Sequence, residues 1–387
     1  MRPCLTPPKA ARPSPSSKEP IMKKSLKATL LSASILALGA GSAFADDNDA
    51  FTLQSGTDNT ALIQQSGSGN QGGLAPVAQN ATQAGSGNML SIKQLGSTSQ
   101  VGTGTLGVDQ TGTMNKLTII QFAGSSGNAV LNVQQTANFT TNSTSTNVAS
   151  VSQTGGTGNV VDTISQTMTA AGPQNFMTIV QDGSSNGVGG FQRFSLAAEF
   201  AAQNGLQLAS VSQSGANNNF NYRADGNSNQ FAVRQTGGNT SLVASVVGDS
   251  NQLLARQANG AVATATIAGD SNALVFNQGG AGIIADVTIT GDLNNSNGLG
   301  GFSGDARSAA YGFQRPGLIQ QFGSNQLVSL DVDGDSNRFS VNQANRGNRA
   351  TGSIAGDGNQ AVVNQDGVSN TATFSQVGSG NTLGVRQ

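Results

Sequence analysis

Five aspartates each follow a glycine: Gly248-Asp249, Gly269-Asp270, Gly291-Asp292, Gly334-Asp335 and Gly356-Asp357, at intervals of 21 or 22 residues within each run. Carboxylates repeated in this way could exchange protons, hold a cation or repel one another. Proton exchange lacks partners. The chain has no His, its one Cys is Cys4, and beyond residue 45 it holds one Glu, Glu199, and two Lys, Lys93 and Lys116. Enzymes built on stacked strands use acidic and basic clusters on one face, and the basic half is missing here. The sequence therefore reads as non-enzymatic, with no catalytic residue, metal site or cofactor. The Gly-Gly-x-Gly-x-Asp nonapeptide of calcium β-rolls is also absent. What remains is repulsion, which for unit charges about 4.8 Å apart is roughly 0.9 kcal/mol in water. The five carboxylates are expected to be solvated turn residues that discourage premature stacking. A sharper expectation is that low pH or Ca²⁺ relieves the row and speeds stacking.

The elements that must carry this row come from a repeat. Twelve segments read Asn-x-apolar-x-apolar-x-Gln, among them Asn337-Phe339-Val341-Gln343, Asn359-Ala361-Val363-Gln365, Asn370-Ala372-Phe374-Gln376 and Asn381-Leu383-Val385-Gln387. Strand period is two, so the four named positions share one face, which is expected to point inward. Asn229, Gln235, Asn251, Gln257, Asn272 and Gln278 belong to the same set. Between strands lies a short arc whose glycine, as at Gly56, Gly67, Gly248, Gly269, Gly334, Gly356, Gly367 and Gly378, permits a positive φ. From Ala224 onward, Gln235, Gln257, Gln278, Gln321, Gln343 and Gln365 alternate with Val246, Ile267, Ile289, Val332 and Ile354, so the full unit is about 22 residues, two strands and two arcs. The expected fold is all-β: a β-solenoid, a β-helix-like stack of strand-arc-strand coils carrying a Gln ladder on one arc and a Val/Ile ladder on the other.

Domain organisation follows from the same repeat. Met22-Lys23-Lys24 with Lys27, the apolar run Ala28 to Ala40 and Ala43-Phe44-Ala45 form a secretory signal peptide over 22–45, so residues 1–21 read as an upstream extension before a natural start at Met22. Without residues 1–45 the chain keeps 12 of its 19 basic and 19 of its 20 acidic residues, a net charge of about −7. That balance, with no basic patch backed by aromatics, excludes nucleic acid as a partner. No disulfide is available either, since Cys4 leaves with the leader. Repeats are expected over 46–186 (irregular around 136–175), 207–297 and 318–387, separated by inserted loops at 187–206 and 298–317. The two inserts are related: Asn186-Gly-Val-Gly-Gly-Phe191 and Asn297-Gly-Leu-Gly-Gly-Phe302 lie 111 residues apart. A weaker excursion falls at about 70 to 82. The inserts read as tolerated loops, or as a sticky binding loop carrying Phe191, Phe194, Phe200, Tyr311 and Phe313. Thr pairs such as Thr264-Thr266 and Thr288-Thr290 are too few for an ice-binding face.

The combination Gln-x-Gly-x-x-Asn-x-Ala-x-x-x-Gln, literal at Gln54-Gly56-Asn59-Ala61-Gln65 and at Gln365-Gly367-Asn370-Ala372-Gln376, resembles the curlin repeat of curli subunits. The resemblance covers most of residues 51–387. Here Asn opens a strand where curlin repeats usually have Ser, and alternate half-units replace Gln by Val or Ile. The family resemblance implies a secreted, extracellular or surface-fibre protein of a Gram-negative bacterium that polymerises with itself into amyloid. It also implies a nucleator subunit and an outer-membrane secretion channel as partners, and a pilus-like role in cell adhesion and biofilm. The chain is not expected to be an integral membrane protein. Independently of the family, Val385-Arg386-Gln387 ends on a complete strand, and an uncapped edge is a template for another copy. The five aspartates then become candidate assembly gatekeepers. The competing expectations are a monomeric or cell-anchored solenoid adhesin that does not polymerise, and a ligand-binding β-helix.

Overall fold

The structure, a computed structural model, describes residues 48–72, 81–102, 107–137, 147–168, 172–191, 196–296, 301–310 and 315–387. The expected signal peptide, Phe194, Tyr311 and Phe313 lie outside these residues. The chain is a β-solenoid in which each coil gives one strand to each of two wholly parallel sheets. The first sheet runs from Asp49–Ala50 and Thr52–Thr57 to Thr382–Arg386, and the second, of twelve strands, from Thr60–Gln65 to Thr371–Val377. Register matches the repeat: Gln235 pairs with Gln257, Gln257 with Gln278, and on the opposite sheet Val246 with Ile267 and Ile267 with Ile289.

The alternation of apolar residues explains the core. Inward positions of the first sheet carry large side chains, such as Phe231, Leu253, Leu274, Phe276 and Phe339. Over the same coils the second sheet supplies many small ones, including Ala244, Ala263, Ala265, Ala285 and Ala350, all buried. Large residues on one sheet and small ones on the other let two sheets close on a thin core at native packing density.

Three expectations need correction. The described residues within 136–175 include regular strands: Ala129–Ala137 reaches into this span, and Val148–Thr154 and Val160–Met168 lie inside it, all in regular coils. The pattern is obscured because one extra residue enters each first-sheet strand, leaving inward Val130 and Val133, and Val161 and Ile164, three apart instead of two, while Leu131 and Asp162 drop out of the pairing. Second, the Gln and Val/Ile ladders sit on strands of opposite sheets, not on the arcs. Third, the inserts at 187–206 and 298–317 are more than loops. Each contains a short helix, α1 (Leu196–Asn204) and α2 (Gly304–Ala310), both rich in Ala, the strongest helix former.

Both inserts leave the first sheet at the same point of the strand, just after the arc Asn. One departs after Gly187 and returns at Ala209; the other departs after Asn295 and returns at Gly317. The first sheet is also divided between Gly72 and Ala81 and between Val101 and Val108, one residue further along the strand: Gly72 and Val101 hold the first inward position before the division, whereas Ala209 and Gly317 hold it after the inserts. At the second insert the Asn295 side chain stands in for missing backbone. Its Oδ1 accepts from the Phe339 N–H at 2.9 Å and its Nδ2 donates to the Ala273 carbonyl at 3.2 Å.

The helices lie on the outer face of the first sheet. Ala197, Phe200 and Ala201 of α1 cover Ala232, Leu254, Val275 and Leu318; Phe302 and Ala306, Ala309 and Ala310 of α2 cover Val362. Phe200 therefore belongs to a packed interface and not to an exposed sticky loop. Arg234 Nη1 donates to the Asn204 carbonyl at 3.0 Å, closing the C-terminal end of α1. Arg315, beyond α2, holds Glu199 of α1 through Nη1 to Oε1 at 3.0 Å and Nη2 to Oε2 at 2.9 Å. Gly384 lets α2 approach, since a Cβ there would meet the Ala309 Cβ at 2.9 Å and the Asp305 carbonyl closer still. Phe200→Ala is expected to raise amide exchange across 196–204 at least tenfold and to leave strands 230–236 and 252–258 protected. A uniform rise in both, by mass-resolved exchange, would contradict this separation of helix from coils.

Candidate functional site: stacked amide and carboxylate ladders

Twelve consecutive side-chain bonds join the inward glutamines of the first sheet in one line. Gln54, Gln83, Gln110, Gln135, Gln166, Gln213, Gln235, Gln257, Gln278, Gln321, Gln343, Gln365 and Gln387 each give Nε2 to the Oε1 of the next, at 2.6 to 3.0 Å. The second amide proton goes to the first residue of the strand across the arc: Gln235 to the Asn219 carbonyl at 2.8 Å, Gln257 to Ser241 at 2.9 Å, Gln365 to Arg349 at 3.1 Å and Gln387 to Thr371 at 3.1 Å. A buried primary amide is thus satisfied on both protons, and the bonds tie the two sheets together.

The second sheet begins in the same way, with Gln65, Gln94, Gln121, Gln153 and Gln181 linked at 2.9 to 3.0 Å. Ala224 then stands against Gln181, and Val246, Ile267, Ile289, Val332 and Ile354 continue the row. Gln376 closes this row above Ile354. It is buried and donates to the Gln360 carbonyl at 3.1 Å, but its Oε1 has no partner, because Ile354 offers no donor. Where the row changes from amide to aliphatic, Tyr222 lies in the core, stacked on Phe220 and tilted against Phe231. Burial pushes its phenol far above the ordinary value, and its hydroxyl has no partner among the described residues.

The asparagines form a second line at the arcs. Asn229, Asn251, Asn272, Asn337 and Asn359 each accept, through Oδ1, from a backbone N–H of the next arc. The donors are Asn251, Asn272, Asn294, Asn359 and Asn381, at 2.9 to 3.0 Å. Nδ2 of Asn229, Asn251 and Asn272 donates at 2.8 Å to the carbonyls of Gly248, Gly269 and Gly291. Asn370 stands on the other arc, where its N–H donates to Asn348 Oδ1 at 2.9 Å. Gly56, Gly67, Gly248, Gly269, Gly334, Gly356 and Gly378 have φ between 101° and 120° or slightly beyond, at 124° for Gly269. Gly367 alone of the expected set is not among the positive-φ residues. The left-handed position two residues after the glycine is held by Ser228, Ser250, Ser271, Leu293 and Ser336, at φ of 57° to 60°, so the Asp between is not the strained residue.

The carboxylates line the same arcs. Oδ1 of Asp249 accepts from the Asn227 N–H at 2.7 Å; Asp270 accepts from Asp249, and Asp292 from Asp270, both at 2.7 Å; Asp335 accepts from Asp292 at 2.7 Å and Asp357 from Asp335 at 2.9 Å. Each charge is therefore bonded to the backbone of the coil before it, which offsets repulsion along the row. Asn227 holds the same place with a neutral amide, a substitution that the sequence pattern of Gly-Asp pairs hides. Gln135 and Gln166 were hidden in the sequence by the extra strand residue, although both lie in the ladder.

A parallel two-sheet solenoid whose coils are registered by buried amides is a structural architecture, and its repeating surface is made of hydrogen-bond donors and acceptors. Residues 356–387 match the family model described as the curlin associated repeat, and that segment belongs to the curlin repeat family. No curated protein matches the chain. Among the described residues no helix is long and apolar enough to cross a membrane.

Gln257→Leu would leave Gln235 Nε2, Gln278 Oε1 and the Ser241 carbonyl without their partner. The expected loss is about 3 kcal/mol, at the rate of roughly 1–3 kcal/mol for each buried group left unmet. Chemical denaturation against the natural chain checks it, and a loss below that of Ile267→Val, about 1 kcal/mol, would contradict the ladder's role.

Proposed function

We propose that this chain is a secreted structural subunit that self-assembles into extracellular, curli-like amyloid fibres for surface adhesion and biofilm matrix. The reading rests above all on the unbroken Gln ladder. Every internal rung of the first-sheet ladder accepts from one neighbour and donates to the other in the same geometry, so on that sheet the upper side of one coil is complementary to the lower side of another. Strand edges add a full set of backbone donors and acceptors. The curlin repeat at 356–387 supports the same reading. A nucleator subunit and an outer-membrane secretion channel are the partners this proposal carries with it.

Protein released from denaturant is expected to bind thioflavin and to give a fibre reflection near about 4.8 Å. Persistence as a soluble monomer would replace this reading with that of a non-polymerising solenoid adhesin. The Asp row is proposed to set the rate. Asp249→Asn, Asp270→Asn and Asp292→Asn together keep the Oδ1 acceptors while removing three charges, as Asn227 already does. Their combination is expected to shorten the assembly lag several-fold at neutral pH; an unchanged lag would remove the carboxylates from the account.

A further inference from the structure

The two outer faces of the solenoid are treated differently. Both helices lie on the first sheet, and among the described residues no element covers the second. The outward rows of that bare sheet carry exposed apolar side chains, with Met89 46%, Phe176 41% and Ile284 45% accessible. Its lysines and most of its aspartates lie at opposite ends of the stack, with Asp182 on the fifth strand and Arg349 on the eleventh outside that division. Lys93 and Lys116 stand on its second and third strands, Met89–Gln94 and Lys116–Gln121. Asp286 stands on the ninth, Ile284–Thr290, and Asp331 and Asp333 on the tenth, Leu327–Asp333. On the sixth strand, Arg223 and Asp225 pair with each other at 3.7 Å.

We infer that a second copy of this chain covers this face, sheet against sheet, with the two stacks running in opposite directions about a two-fold axis along the sixth strand, Asn219–Asp225. Lys93, Lys116, Asp286 and Asp331 favour this arrangement; on the axis Arg223 faces the same residue of the second copy, and Asp225 beside each offsets that contact. A pairing with both stacks in the same direction sets lysine strands on lysine strands and aspartate strands on aspartate strands. The reversed pairing sets the second strand over the partner's tenth and the third over its ninth. A two-fold axis along the strands keeps each outward row opposite itself, so Lys93 faces Asp331 and Lys116 lies beside Asp286. In the row that opens each strand, Met89 then meets Leu327 and Val148 meets Val262. Each contact occurs twice, as an isologous interface requires. Nine strands at about 4.8 Å spacing, six or seven residues long at about 3.3 Å each, present about 900 Å² per copy. A standard stable interface buries about 800 Å² per partner.

This pairing is lateral. Axial growth adds strands at the sheet edges and leaves the face uncovered, so the inference stands or falls separately from fibre formation. The test uses the full chain carrying Cys4→Ser, which leaves no other thiol. Lys93→Cys and Asp331→Cys are introduced in separate chains, mixed and oxidised. Within one chain these positions are eight coils apart, about 38 Å at the strand spacing, far beyond disulfide reach. The mixture is expected to give at least tenfold more disulfide-linked dimer than either chain alone. No enrichment in the mixture, or equal dimer from Lys93→Cys alone, overturns the proposal. In the charge-reversal test, Lys93→Glu with Lys116→Glu is expected to lower the lateral dimer fraction at least fivefold, and adding Asp286→Lys with Asp331→Lys to restore it. Loss without restoration also overturns it.

Discussion

The structure depends on one constraint: a primary amide buried in a thin core must find partners for two protons and an oxygen. An unmet buried polar group costs about 1–3 kcal/mol, and a coil holds few apolar contacts to offset it. The first-sheet glutamines meet the constraint in one way only, each bonded to its counterparts above and below and to the strand across the arc. A slip of one residue would break all of these bonds and turn the apolar face outward as well. The amides thus fix the register of every coil, and the glycines, asparagines and aspartates of the arcs fall into line because the register is fixed.

One such ladder is sufficient. In the first five coils both sheets carry it; from Ala224 the second sheet exchanges it for aliphatic residues, and the strands keep their pairing without a break. The exchange also permits Ala-rich inward positions on that sheet opposite the large side chains of the first. Gln376 shows the converse, since an amide placed above Ile354 is left with an orphan oxygen. The value of a glutamine here lies in its neighbours and not in the residue alone.

The sequence pattern revealed what depends on local spacing. Asn-x-apolar-x-apolar-x-Gln defined the strands, their inward faces and the coil length, and the aspartates fell on the predicted arcs. It failed where an extra residue shifted the phase, at Val130-Leu131-Asn132-Val133 and Val161-Asp162-Thr163-Ile164, although the Gln of each strand still joined the ladder. The covered outer row was missed for a different reason. Leu254, Val275, Leu318 and Val362 occupy positions that the repeat marks as outward, and only helices arriving from distant inserts bury them. The adjacent apolar pairs Leu253-Leu254 and Leu274-Val275 were the available signal. The serines at left-handed φ had none, because Ser carries no preference that would have singled them out over the neighbouring Asp.

The interruptions of the first sheet all fall in the first half of a strand, within a residue of one another in register, and the ladder runs past both helical inserts uninterrupted. At Asn295 a side chain even closes the gap left by the departing main chain. The solenoid therefore has a built-in splice point: a segment of almost any length can be threaded out between the arc and the second half of a strand, provided its two ends return side by side. Diversity of decoration is in this way uncoupled from the scaffold, so that the outer ornament can change while the spine, held by amides, stays as it is.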